Sequence, residues 1–115
     1  MRLTRRALAA GVLLVAISLV GCEQQKRAPK TVQILIDQLA FGKSSDDLHV
    51  GDTLQWVNHD MFEHTATAKD GQFDLDLPPG ATRQVVLQRT GVIQYYCKFH
   101  PGMTGQITVS DSAGG

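Results

Sequence analysis

The chain is short of cysteine. Its two residues of that type, Cys22 and Cys97, are too few for a scaffold held together by disulfides. It also lacks net charge, with 11 Lys+Arg against 11 Asp+Glu. That balance conceals an asymmetry, because no acid precedes Glu23 while Arg2, Arg5 and Arg6 crowd the N-terminus. A product starting at Cys22 loses those arginines and keeps every acid. The resulting acidic balance excludes nucleic-acid binding through a basic face. No apolar run reaches the roughly 20 residues of a membrane-spanning helix; the run Ala7 to Val20 falls short of it. No segment carries a helical stripe of convincing length. A length of 115 residues leaves no room for a two-domain enzyme.

What is present begins with an address. A cationic Met1 to Arg6 followed by the uncharged Ala7 to Val20 has the layout of a secretory signal. Leu19-Val20-Gly21-Cys22 resembles the lipobox of bacterial lipoproteins, in which cleavage precedes a cysteine that then carries the lipid. The resemblance implies a signal peptide over residues 1–21, lipidation of Cys22 and attachment to a membrane. An ordinary secretory signal with a chance cysteine and a Cys22–Cys97 disulfide remain as alternatives. Thr4-Arg5-Arg6-Ala7-Leu8 is also similar to a twin-arginine signal, which leaves the export route open. Either route places the domain outside the cytoplasm, on the periplasmic or extracellular side of the cell envelope.

Residues 22–30 form a polar tether containing Pro29, and its eight residues after Cys22 reach at most roughly 26 Å. Residues 111–115 are a small-residue tail expected to fray. The folded unit is therefore residues 31–110, expected to be a monomer. Its pattern is period two: Val32, Ile34 and Ile36; Leu54 and Trp56; Val85 and Leu87; Ile93, Tyr95 and Cys97; Ile107 and Val109. Gly51-Asp52, Asp70-Gly71, Pro78-Pro79-Gly80, Thr90-Gly91 and Pro101-Gly102 punctuate these runs. Short strands at close spacing predict an all-β fold, an antiparallel sandwich or barrel. So small a core would gain from a bound metal.

The last strands carry the chemistry. A thiol, an imidazole and a thioether recur at intervals of three as Cys97, His100 and Met103, and His64 stands far upstream. Two imidazoles, one thiolate and a distant thioether suit a copper ion alternating between Cu(I) and Cu(II). The sulfur donors favour Cu(I) and the imidazoles accommodate both states. Taken singly, Cys97 reads equally as a core residue and Met103 as a gap-filler. His49 and His59 lie outside the pattern and read as surface residues, Met61 as a rim residue, and Trp56 and Tyr95 as core. Asp60, Asp70, Asp74 and Asp76 read as exposed loop charges rather than an acid–base pair.

From about Thr31 to Val109 the chain resembles the cupredoxins, the blue-copper family of plastocyanin, amicyanin and pseudoazurin. The resemblance rests on the short Cys97-x2-His100-x2-Met103 spacing, on Gly91-Val92-Ile93-Gln94-Tyr95-Tyr96-Cys97, and on Gly51-Asp52-Thr53-Leu54-Gln55-Trp56-Val57-Asn58. It implies a Greek-key β-sandwich of about seven to eight strands and one type 1 copper ion. His64, Cys97 and His100 would be equatorial ligands and Met103 the axial one. Glu63 and Thr65 flank the upstream histidine where the family usually has Pro and Asn, and Phe99 stands where Pro is common. A backbone N–H from Thr65 to the Cys97 sulfur is still expected. A carboxylate ligand from Glu63 is the minority alternative.

The implied function is a membrane-tethered carrier of single electrons between redox partner proteins, which would dock around His100. A ligand set with no open position argues against an enzyme. Copper storage, delivery or resistance is the alternative function, and a module with a merely structural metal is a third.

Overall fold

Alternation of apolar and polar residues becomes strand wherever the sequence shows it. In the computed structural model, which describes residues 10–17, 27–44 and 47–111, the order is β1 (Thr31–Asp37), β2 (Ala40–Phe41), β3 (Leu48–His49), β4 (Thr53–Asn58) and β5 (His64–Ala68). There follow β6 (Asp74–Leu77), β7 (Thr82–Val86), β8 (Gly91–Cys97) and β9 (His100–Ser110). Cys22, most of the proposed signal peptide and the tail beyond Asp111 lie outside the described residues. No helix among the described residues is long and apolar enough to cross a membrane.

The strands form two sheets, ordered β2-β1-β4-β7 and β3-β9-β8-β5-β6. The fold is the expected all-β sandwich, with one difference in strand direction. β1 pairs with β4 in parallel, from Thr31 opposite Thr53 to Ile36 opposite Asn58, and β3 pairs with β9 in parallel. Parallel neighbours need a long connection, and residues 38–52 supply one between β1 and β4. The nine strands among the described residues exceed the expected number because β2 and β3 are only 2 residues each.

The alternating faces meet as the core. Val32, Ile34 and Ile36 of β1 lie against Leu54 and Trp56 of β4, with Ile93 and Tyr95 of β8 among the same buried cluster. Burying a side chain of this kind contributes about 1.5–3 kcal/mol. The Trp56 ring lies 4.9 Å from Phe73 and 5.5 Å edge-on from Tyr95, and Phe41 meets Tyr95 edge-on at 4.8 Å. Tyr95 is cross-strand partner to Gly105, and its ring occupies the space that a Cβ at Gly105 would take. Burial pushes the Tyr95 hydroxyl up to about 12, so the ring stays neutral. Trp56 and Tyr95 are core residues, as their place in the alternation implies.

The candidate metal centre

The site lies where β4 ends, β5 begins and the β8–β9 hairpin turns. Asn58, the last residue of β4, is buried and organises the loop that follows. Its side-chain NH2 donates to the carbonyls of Phe62 and Leu77, each at 2.8 Å, and its Oδ1 accepts from the Asp60 N–H at 2.9 Å. The loop is thereby folded back so that His64 enters β5 opposite Leu77 with its side chain inside.

The other donors come from a hairpin whose register slips. Cys97 pairs with His100 across the Lys98-Phe99 turn, yet Tyr96 pairs with Thr104. Pro101, Gly102 and Met103 are surplus on the β9 side, and they form a bulge beside the thiol. Bulges of this kind re-aim side chains near functional sites. Met103 is turned inward and buried, and His100 is half-buried.

Three donor atoms converge. Cys97 Sγ lies 3.7 Å from His64 Nδ1 and 3.6 Å from His100 Nδ1. The ligand atoms of His64, Cys97 and His100 all fall within 4.8 Å of one another. Nitrogen and sulfur ligands at roughly 2.0 to 2.3 Å from one ion, meeting near trigonal or tetrahedral angles, stand roughly 3.5 to 3.8 Å apart. The residues present therefore fit a single soft metal ion. The exposed Glu63 is not in this cluster, so no carboxylate replaces a donor.

Thr65 does the work of its position in two ways. Its N–H donates to Cys97 Sγ at 3.3 Å, as expected from sequence, and its Oγ1 accepts the Lys98 N–H at 2.9 Å. A threonine thus ties β5 to the turn beside the thiol. The chain of hydroxyls runs on through Thr67 to Asp74, which also meets Lys98 Nζ at 3.0 Å. The Lys98 ammonium, with the Thr67 hydroxyl, holds the Asp74 carboxyl below the usual carboxylate range.

One residue near the site departs from the sequence reading. Asp60 is not an exposed loop charge: its side chain is only 9% accessible, and its Oδ2 lies 2.8 Å from His64 Nε2. The available signal was its position four residues before the histidine. His59 is exposed, as expected, whereas His49 is half-buried, with Nδ1 2.7 Å from the Arg27 guanidinium. The two loops that carry the histidines also expose apolar side chains. Met61, Phe62 and Phe99 are 88%, 55% and 54% exposed, and the Phe62 ring stands 6.2 Å edge-on from His100.

No protein-family model matches the chain. It is 31% identical over 88 residues to plastocyanin from Vicia faba, a match covering 63% of this chain and 89% of that protein. A purple cupredoxin from Nitrosopumilus maritimus superposes with a TM-score of 0.56 at 28% identity, over 68% of this chain and 98% of the other. A reduced amicyanin variant superposes with a TM-score of 0.57 at 24% identity, over 70% and 82% of the two chains, a likeness of fold. With two packed sheets, a His-Cys-His cluster at the end of β8, and a relative matched over nearly its whole length, the chain belongs to the cupredoxins, the type 1 copper proteins that include plastocyanin.

Proposed function

We propose that His64, Cys97, His100 and Met103 together hold one copper ion, and that the protein carries single electrons between partner proteins outside the cytoplasm. The observation that carries this reading is the convergence of one thiol and two imidazoles at 3.6 and 3.7 Å. When bound, copper supplies a one-electron couple, Cu(II)/Cu(I). The chain's own residues do the rest. Cys97 and His64 are fully buried, which keeps water from the donors and limits rearrangement between oxidation states. The Thr65 N–H stabilises charge on the Cys97 sulfur. His100 lies nearer the surface, beside the exposed Phe62 ring and next in sequence to the exposed Phe99, and offers electrons the short way in. An apolar rim of this kind suits the small, quickly released contacts of redox encounters.

A sheltered site of this kind favours electron carriage over copper delivery, which needs donors open to exchange. The copper-loaded protein should be intensely coloured through thiolate-to-Cu(II) charge transfer and should bleach on reduction. Cys97→Ser should lose that band, and an equally intense band in the variant would refute the site. Surrender of copper to a modest competing chelator would favour delivery instead.

The domain is held at a membrane by lipid on Cys22, reached through the polar residues that follow. Cys22→Ser should abolish lipidation, read by mass spectrometry of the intact protein, and leave the visible spectrum unchanged. A native protein with an unmodified N-terminus elsewhere would refute the anchor.

A further inference from the structure

Asp60 sits at a junction that neither its sequence neighbours nor the copper site requires. Its carboxylate accepts three hydrogen bonds from two separate parts of the fold. One comes from the His64 ring, Nε2 to Oδ2 at 2.8 Å. The others come from the backbone N–H groups of Gln38 and Leu39, at 2.7 and 2.9 Å. Gln38 and Leu39 are the two-residue turn between β1 and β2, with φ of 51° and 59°. Both angles are left-handed, and neither residue is the glycine or asparagine that such a turn favours. Non-glycine residues in that region persist when their surroundings over-determine them. Here the Asp60 carboxylate does so, by taking both N–H groups of the turn.

The consequence falls on His64. An ionised carboxylate can only accept, so the proton between Asp60 and His64 belongs to Nε2. That leaves the Nδ1 lone pair facing Cys97, the orientation a metal-binding imidazole needs. Three N–H donors converge on the group, which suits a carboxylate anion, and the two backbone donors anchor it in place.

We infer that Asp60 is a positioning residue that sets the reduction potential through His64, by fixing its tautomer and adding negative charge behind the ring. A carboxylate accepting the far N–H makes an imidazole a stronger donor. It also places an anion 2.8 Å from the ring nitrogen opposite the one that faces Cys97. Both effects favour Cu(II), the more highly charged state, over Cu(I). Asp60 thus holds the potential lower than a neutral acceptor at the same place would. The inference rests on His64 being a copper ligand.

The test is Asp60→Asn, measured with the copper-loaded protein by reversible voltammetry and visible spectroscopy. The amide keeps an acceptor for the turn but loses the charge. We expect the thiolate band to survive and the Cu(II):Cu(I) affinity ratio to fall about tenfold, the low end for groups that support a ligand. For one electron that is a rise of about 59 mV. Asp60→Glu, which keeps the charge, should lie nearer the native potential. Should Asp60→Asn loosen the turn, the double variant Asp60→Asn with Leu39→Gly relieves the left-handed backbone and should show the same rise. In the metal-free protein, NMR of the ring nitrogens should find the His64 proton on Nε2. An unchanged or lowered potential in both variants, loss of copper from both, or a proton on Nδ1 would overturn the inference. If the native protein itself has no thiolate band, the copper-site reading fails first.

Discussion

Two aspartates bracket β4, one buried and one half-buried, and they do the same mechanical work for different ends. Asp52 precedes the strand and is 1% exposed; it accepts the N–H groups of Lys30 and His49 and the Arg27 guanidinium, at 3.0, 2.9 and 2.7 Å. Asp60 follows the strand and accepts the N–H groups of Gln38 and Leu39 and the His64 ring. Because β1 runs parallel to β4, each carboxylate clamps one end of β1: Lys30 lies just before it, and Gln38 just after. The difference is the third partner. At one end it is a guanidinium, which stays charged and fastens the segment entering the domain. At the other it is an imidazole, which faces the metal donors with its second nitrogen. One device serves attachment at one end and electronics at the other. The residues assigned to the tether are accordingly held to the domain from Arg27 onward.

If the two ends are separate in role, changes at the Asp52 end should cost stability and leave the metal centre alone. Asp52→Ala leaves two N–H groups and a partly exposed guanidinium without their acceptor, a loss of about 1–3 kcal/mol. Denaturant unfolding of the metal-free protein measures the loss, and the copper-loaded variant should keep its native spectrum and potential. A shifted potential would break the comparison.

Acid sharpens the same contrast. Asp52 is held down from 3.8 to about 2 by the Arg27 hydrogen bond and the backbone donors, against the opposing effect of burial. A depressed folded-state value contributes stability that is complete above pH 3.8 and disappears as pH falls toward 2. The contribution is at most about 2 kcal/mol, reduced by the solvent reaching Arg27, which is 32% exposed. Acid unfolding of the native protein and of Asp52→Asn should therefore converge over that window. A constant gap between the curves down to pH 2 would place the effect elsewhere.

Smaller effects are expected on the apolar rim of the metal-bearing end. Phe99→Ala should slow electron transfer to the physiological partner several-fold and leave spectrum and stability nearly native. Equal rates for native and variant proteins would move the docking site away from His100. Smallest is Glu63→Gln, which removes an exposed charge beside the rim. It should lower only the association rate, by an amount that shrinks as salt screens the field. A salt-independent change would show that Glu63 acts by contact.

The legibility of the sequence varied along the chain for physical reasons. β1, β4 and β8 bury one face, so their apolar residues alternate and announce themselves. β5 reads as no strand because all 5 residues of His64–Ala68 are buried, and threonine and alanine replace the expected alternation. β2 and β3 are too short for any period to register. Thr65 was legible as a donor because the bond to Cys97 uses its backbone N–H, which any residue but proline supplies. Asp60 was not, since an acid in a polar loop looks the same whether it faces water or a buried ring.

By itself, then, the sequence determined the all-β class, the apolar faces of β1, β4 and β8, and the group of one thiol and two imidazoles that the fold brings together. The class and the Cys97–His100 spacing are local properties, and His64 was reached through residue type. Only the tertiary structure decided which carboxylate stands behind His64 and which one fastens Arg27. The Asp60 bonds cross from the loop after β4 to the turn after β1, and the Asp52 bonds reach back over a similar distance. Contacts of that range depend on β1 and β4 lying side by side in parallel, and neither strand carries a local signal of its neighbour or its direction.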